Sequence, residues 1–135
     1  MFSVTREITF CYGHRLLEYA GKCRHLHGHN GRAVITLQTD HLDELGMVVD
    51  FSRLKRVVGG WIDETLDHKM LLHKDDPVLA FLREHGEPLY VLDVNPTAEN
   101  IAKLIFEYTA AQGFPVVEVK LWETESCFAA YRVAR

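Results

Sequence analysis

Residues 2 to 11 alternate, with Phe2, Val4, Ile8 and Phe10 on one parity and Ser3, Thr5, Glu7 and Thr9 on the other. That two-residue period predicts a half-buried strand. From Gly31 to Asp40 the run Arg-Ala-Val-Ile-Thr-Leu-Gln-Thr is β-branched and alternates again, predicting a second strand after a long loop. A charged turn holding Gly46 ends it. Ser52 is expected to cap a helix in which Leu54, Val57, Val58, Trp61, Ile62 and Leu66 recur at three- and four-residue spacing, weakened at Gly59-Gly60. Asp76-Pro77 opens a shorter helix that Gly86 closes. Asn95-Pro96-Thr97 opens another, with Ile101, Leu104, Ile105 and Tyr108 as its apolar stripe before Gly113. Two alternating strands, Val116 to Thr124 and Cys127 to Val133, complete the pattern. Strand pairs segregated from helices predict an α+β arrangement, an antiparallel sheet with helices on one face. The sequence has no repeat, low-complexity tract or linker.

A chain of 135 residues is expected to form a single domain spanning residues 1–135, with a core of its own. Its 15 Lys+Arg against 19 Asp+Glu leave a net charge of −4, so no basic excess supports nucleic-acid binding through phosphate neutralisation. The longest apolar stretches, such as Val78 to Leu82, fall far short of the roughly 18 residues of a membrane span. Arg6 and Glu7 interrupt the place where a signal segment would have its apolar core. The expected location is therefore the cytoplasm, with Cys11, Cys23 and Cys127 reduced.

Eight histidines change this plain picture, three of them at positions 25, 27 and 29. His27 and His29 flank Gly28 at the entrance to the second strand, and residues two apart on a strand share a face. His14 follows the first strand, and antiparallel pairing would bring it beside them. Three neutral imidazoles with an open fourth position form the usual catalytic zinc geometry. Histidines on a polar loop, or a closed structural site completed by Cys23, are the ordinary alternatives. Spacing alone leaves His25 open as a ligand.

Other residues carry possible chemistry. Cys23 lies four residues from His27, where a metal and imidazoles could favour a thiolate able to accept a proton from carbon; Cys11 and Cys127 read as inert, partly buried thiols on strands. Asp67-His68 could pair an orienting carboxylate with a proton carrier, provided a turn follows the helix. Glu123 shares parity with Val119 and Leu121, so its charge falls on an apolar face and needs a partner. A ligand with two adjacent N–H groups would serve, and so would a cross-strand Arg132. Thr97 reads as an N-cap and Glu99 as a first-turn acid.

The frame Phe10-x-x-x-His14 followed by Cys23-x-x-x-His27-Gly28-His29 resembles the pterin-synthase family that includes 6-pyruvoyltetrahydropterin synthase and 6-carboxytetrahydropterin synthase. Further blocks are similar in family order: Gly46-Met47-Val48-Val49-Asp50-Phe51, Leu66-Asp67-His68, Asn95-Pro96-Thr97-Ala98-Glu99-Asn100 and Trp122-Glu123-Thr124. The resemblance implies zinc on His14, His27 and His29, Cys23 as proton-abstracting base, Asp67-His68 as proton relay, and Glu123 as pterin anchor with contacts from Thr97 and Glu99. It implies the ββααββ tunnelling fold, whose subunits join sheets into a barrel, commonly as a hexamer of two trimers, with active sites at subunit interfaces.

The implied activity is that of a lyase on 7,8-dihydroneopterin triphosphate, in which zinc binds the side-chain hydroxyls, Cys23 removes the acidified proton and the dyad returns protons as triphosphate leaves. The three-residue gap between Cys23 and His27 is similar to the 6-carboxytetrahydropterin branch of queuosine biosynthesis, which also releases acetaldehyde. Arg24 stands where a folate-linked branch carries Glu. The alternatives are the 6-pyruvoyltetrahydropterin reaction of the tetrahydrobiopterin-type pathway and a non-catalytic zinc- and pterin-binding protein of the same fold. The chain departs from the pattern in its longer 73–94 stretch, and in Cys11-Tyr12-Gly13, where small residues are more common.

Overall fold

The computed structural model describes residues 1–134. Two long strands, β1 (Phe2–His14) and β2 (His27–Thr39), pair antiparallel in unbroken register from Phe2 opposite Thr39 to His14 opposite His27. The strands β5 (Val116–Trp122) and β6 (Phe128–Arg132) extend this ladder beyond β2. Alternation does what the sequence predicts. Phe10, Tyr12 and His14 on β1, Ala33, Ile35 and Leu37 on β2, and Val119 and Leu121 on β5 are all buried. They face the helices, while Cys11 and Arg32 point to the other side.

The expectation of a wholly antiparallel sheet needs correction. Two short strands were not foreseen, β3 (Lys69–His73) and β4 (Leu89–Leu92), and both join in parallel, giving a six-stranded mixed sheet in the order β4-β3-β1-β2-β5-β6. Only Tyr12, Gly13 and His14 of β1 pair with β3, so among the described residues the edge of β1 from Phe2 to Phe10 has no strand partner. The helical layer is α1 (Phe51–Leu54), a π-helical turn over Lys55–Gly59, α2 (Gly60–Thr65), α3 (Val78–Glu84) and α4 (Ala98–Ala111). Asp50, and not Ser52, caps α1 by accepting the Ser52 N–H at 2.8 Å. The widened turn ends at Gly59-Gly60, as expected of a weak point in the helix.

Leu54, Val58, Ile62 and Leu66 from the first helical segment and Ile101, Ala102 and Ile105 from α4 cover one face of the sheet and are themselves fully buried against it. A smaller cluster of Leu72, Leu79 and Leu82 seats α3 on β3. Asp76 ties this unit to the end of β1. Its buried carboxylate accepts from Arg15 Nε at 2.8 Å, from Arg15 Nη2, and from the Val78 N–H at 2.9 Å. No described helix is long and apolar enough to cross a membrane.

Candidate active site

The three histidines lie on the strands themselves: His14 ends β1, and His27 and His29 open β2 directly opposite. Same-face alternation projects all three rings to the helix side, with centroids 4.6 to 5.0 Å apart, and one nitrogen from each falls within 4.8 Å of the others. The main chain sets their orientation. His14 Nδ1 donates to the Pro96 carbonyl and His27 Nδ1 to the His25 carbonyl, each at 2.6 Å. A carbonyl only accepts, so the proton sits on Nδ1 and each Nε2 offers a lone pair. His14, His27 and His29 all have buried Nε2 atoms without a partner. Burial pulls the His14 pKa down to about 4, outweighing the Pro96 bond, so it is neutral near pH 7. His25 contributes its carbonyl and not its ring.

Glu123 reaches the same point from β5's end, its Oε2 standing 3.0 Å from His29 Nε2 and 3.4 Å from His14 Nε2. The alternative partner Arg132 is engaged elsewhere, with Glu118 at 2.8 Å. Converging lone pairs and a carboxylate oxygen repel one another unless a cation lies between them. The donor set therefore fits a metal ion, and its three nitrogens and open remainder suit zinc chemistry. Tyr12 is packed against both His14 and His29, and its hydroxyl also lacks a partner. Burial, and secondarily the Glu123 charge, push its pKa up and keep the phenol protonated.

Cys23 lies half-buried in a 3-10 turn (Lys22–Arg24), whose position is fixed by the Leu16 N–H donating to its carbonyl at 2.8 Å. Cys11 and Cys127 are exposed, which corrects the reading of both as partly buried; each points away from the helix layer or lies in a turn. Asp67 and His68 do occupy a turn after α2. His68 has φ +60°, a conformation costly for a side-chain-bearing residue, and there its Nδ1 donates to Asp67 Oδ2 at 2.8 Å. Asp67 also accepts the Cys11 N–H at 2.8 Å, the main reason its carboxyl lies below the usual carboxylate range.

This dyad is not joined to the histidine cluster. Among the described residues no hydrogen bond or ion pair links it to Cys23, His14, His27 or His29. His68 borders a groove of about 590 Å³ that Tyr12 and His27 also line, together with Cys11, Leu26 and residues of α3. Thr97 caps α4, accepting the Asn100 N–H at 3.2 Å, and Glu99 is exposed in its first turn. Sequence reasoning missed Asn95, whose amide oxygen accepts the Leu17 N–H at 2.8 Å and whose amide nitrogen donates to the Leu17 carbonyl at 3.0 Å. This strand-like pairing holds the segment after His14 against Pro96.

A family model described as 6-pyruvoyl tetrahydropterin synthase matches residues 3–134. The chain belongs to that family. Its members are lyase-type enzymes, and the α+β tunnelling fold is theirs too. A 6-carboxy-5,6,7,8-tetrahydropterin synthase of Rickettsia bellii is 42% identical over 95% of this chain and 98% of its own length. One from Haemophilus influenzae is 28% identical over 98% and 99%. Among solved structures, the Caenorhabditis elegans 6-pyruvoyl tetrahydropterin synthase superposes with a TM-score of 0.73 at 26% identity, covering 98% of this chain and 96% of that one. An uncharacterized protein from Wolinella succinogenes gives 0.80 at 26% identity, with 97% of each chain covered.

Proposed function

We propose that this chain is a zinc-dependent lyase converting 7,8-dihydroneopterin triphosphate and water to 6-carboxy-5,6,7,8-tetrahydropterin, acetaldehyde and triphosphate, a cytoplasmic step of queuosine biosynthesis. The observation that carries the reading is the convergence of three orphaned Nε2 atoms on one point beside Glu123. The names of the Rickettsia and Haemophilus relatives support the product. The zinc ion, held by His14, His27 and His29, would supply Lewis acidity toward oxygens of the substrate side chain. Cys23, on the turn entering β2, is the base that takes a proton from the side-chain carbon. Asp67 fixes the His68 tautomer so that Nε2 is free to exchange protons. Glu123 anchors the pterin edge by two charge-assisted bonds, with Thr97 and Glu99 at the neighbouring helix start adding contacts.

That no hydrogen bond or ion pair joins the dyad to the histidines across the groove they share supports a site completed by a second copy. The bare β1 edge and the outer edge of β6 are unpaired strands that invite pairing. Because Glu123 lies at the metal end of β5, β6 starts at that end, where β1 finishes. Antiparallel joining of β6 to a second copy's β1 would thus set the 123–127 turn beside that copy's Cys11, Asp67 and His68. Repetition closes a ring, a trimer or a hexamer of two trimers.

Incubating zinc-loaded protein with the substrate and weighing the products tests the reaction. 6-Carboxytetrahydropterin with acetaldehyde is expected; a 6-pyruvoyl product would assign the other branch, and no turnover would leave a binding protein. Mixed assembly tests the shared site. Cys23→Ala and His68→Ala chains, each inactive alone, should regain up to about a quarter of parental activity when co-assembled, since one site type receives both intact groups. No recovery would confine each site to one chain.

A further inference from the structure

Among the described residues, four buried side-chain polar atoms have no hydrogen-bond partner: Nε2 of His14, His27 and His29, and the Tyr12 hydroxyl. The His14 and His27 nitrogens present lone pairs, their protons being held on Nδ1, and a metal ion satisfies all three nitrogens together. The fourth atom carries a proton, which a metal does not satisfy.

We propose that the Tyr12 hydroxyl is a ligand-binding group, a hydrogen-bond donor to an oxygen of the molecule held at the three-histidine centre. On the reading proposed above, that oxygen belongs to the hydroxyl-bearing side chain of the pterin. Tyr12 stands directly opposite His29 in the β1–β2 ladder and two residues before His14. Its ring centroid lies 5.3 Å from that of His14 and 5.6 Å from that of His29.

The backbone is shaped to let the ring lie there. Gly31 sits beneath it on β2, and a Cβ at that position would come within 2.8 Å of Tyr12 Cε1 and 3.3 Å of Cδ1. With no side chain at 31, the ring crosses β2 in the direction of β5, whose end carries Glu123. Packing alone does not account for the hydroxyl. Phe10 stacks on the ring at 5.2 Å and shows that a phenyl group suits this layer, whereas a buried donor without an acceptor is a standing cost. The cost is recovered only when an acceptor enters, and Tyr12 and His27 line one groove of about 590 Å³ that can hold a molecule. The family blocks quoted above assign nothing to this position, where small residues are more common.

The test is Tyr12→Phe in cobalt-loaded full-length protein, with acetohydroxamate as an oxygen-bearing probe followed by the visible spectrum of the metal. The variant should load one cobalt per chain, melt at the parental temperature or above, and bind the probe roughly ten- to a hundredfold more weakly. KM for the pterin substrate should rise by a similar factor. Unchanged probe affinity would reduce Tyr12 to packing, loss of cobalt would make it a support for the histidines, and a lowered melting temperature would mean that the hydroxyl is already paired at rest; each overturns the proposal. A parent protein that takes no oxygen ligand at cobalt would do so too. Weakened probe binding without any pterin turnover by the parent would sink the lyase reading and leave the Tyr12 role standing. Parental turnover with an indistinguishable Tyr12→Phe would do the reverse.

Discussion

Removing the Asp76 carboxylate is expected to cost about 3 kcal/mol of folding stability. The side chain is 1% exposed and accepts two bonds from Arg15 and one from the Val78 N–H at the start of α3. Deleting a capping acceptor costs about 1 kcal/mol. Stranding a buried charge costs roughly 3–5 kcal/mol, but Arg15 is 24% exposed and can turn to water, so about 2 kcal/mol is a fair share for the pair. Asp76→Asn keeps one oxygen for Val78 and Arg15 Nη2 but loses the charge and turns a donor toward Arg15 Nε, so it should cost more than half the Asp76→Ala effect, about 2–3 kcal/mol. The Arg15 bonds, chiefly, hold the Asp76 carboxyl below the usual carboxylate range. A depressed folded pKa gives stability that is present above the unfolded value near 3.9 and lost as pH falls through the folded one. The gap between parent and Asp76→Asn should therefore be full at pH 7 and shrink below about pH 4. Urea unfolding at a series of pH values measures both effects. An Asp76→Ala variant within about 0.5 kcal/mol of the parent, or a gap that widens on acidification, would refute the reasoning.

A His27→Ala, His29→Ala double variant should lose its metal, read as zinc per chain by elemental analysis, because one imidazole is no chelate. Cys23→Ala should keep its circular dichroism and zinc while losing most turnover, since the thiol is assigned to proton transfer and not to packing. Glu123→Gln should weaken an unreactive pterin by roughly tenfold to several hundredfold in titration calorimetry without lowering the melting temperature, because Arg132 is held by Glu118. Arg132→Ala should leave pterin affinity unchanged and cost less than about 1 kcal/mol on melting, as an exposed pair.

The long strands were legible because each buries one face: the alternating Val4, Ile8 and Phe10 or Ala33, Ile35 and Leu37 write the period into the sequence, although β1 runs on to His14 past the expected end at residue 11. β3 was not, for a local reason. Its adjacent Leu71 and Leu72 are both fully buried, one in the main core and one in the α3 cluster, so a strand of five residues buried on both sides has no alternation to read. His-x-His opposite His14 follows from strand parity and pairing, and was readable. The ties across the fold were not. Arg15 and Asp76, or Asn95 and Leu17, lie 61 and 78 positions apart, and nothing local in either segment announces the other. Asp50 as cap in place of Ser52 was a near miss between two good capping residues two positions apart.

The acceptors that orient His14 and His27 are peptide carbonyls, those of Pro96 and His25. No single side-chain replacement can delete a main-chain oxygen, so the poise of these ligands is inherited from the path of the chain and is insulated from point mutation nearby. Drift in the surrounding side chains can proceed while the ligand geometry persists. The groups that would discriminate among bound molecules, Tyr12 and Glu123, are by contrast ordinary side chains and open to exchange. Such a division lets selection, or an engineer, retune what the centre accepts without first rebuilding the centre itself.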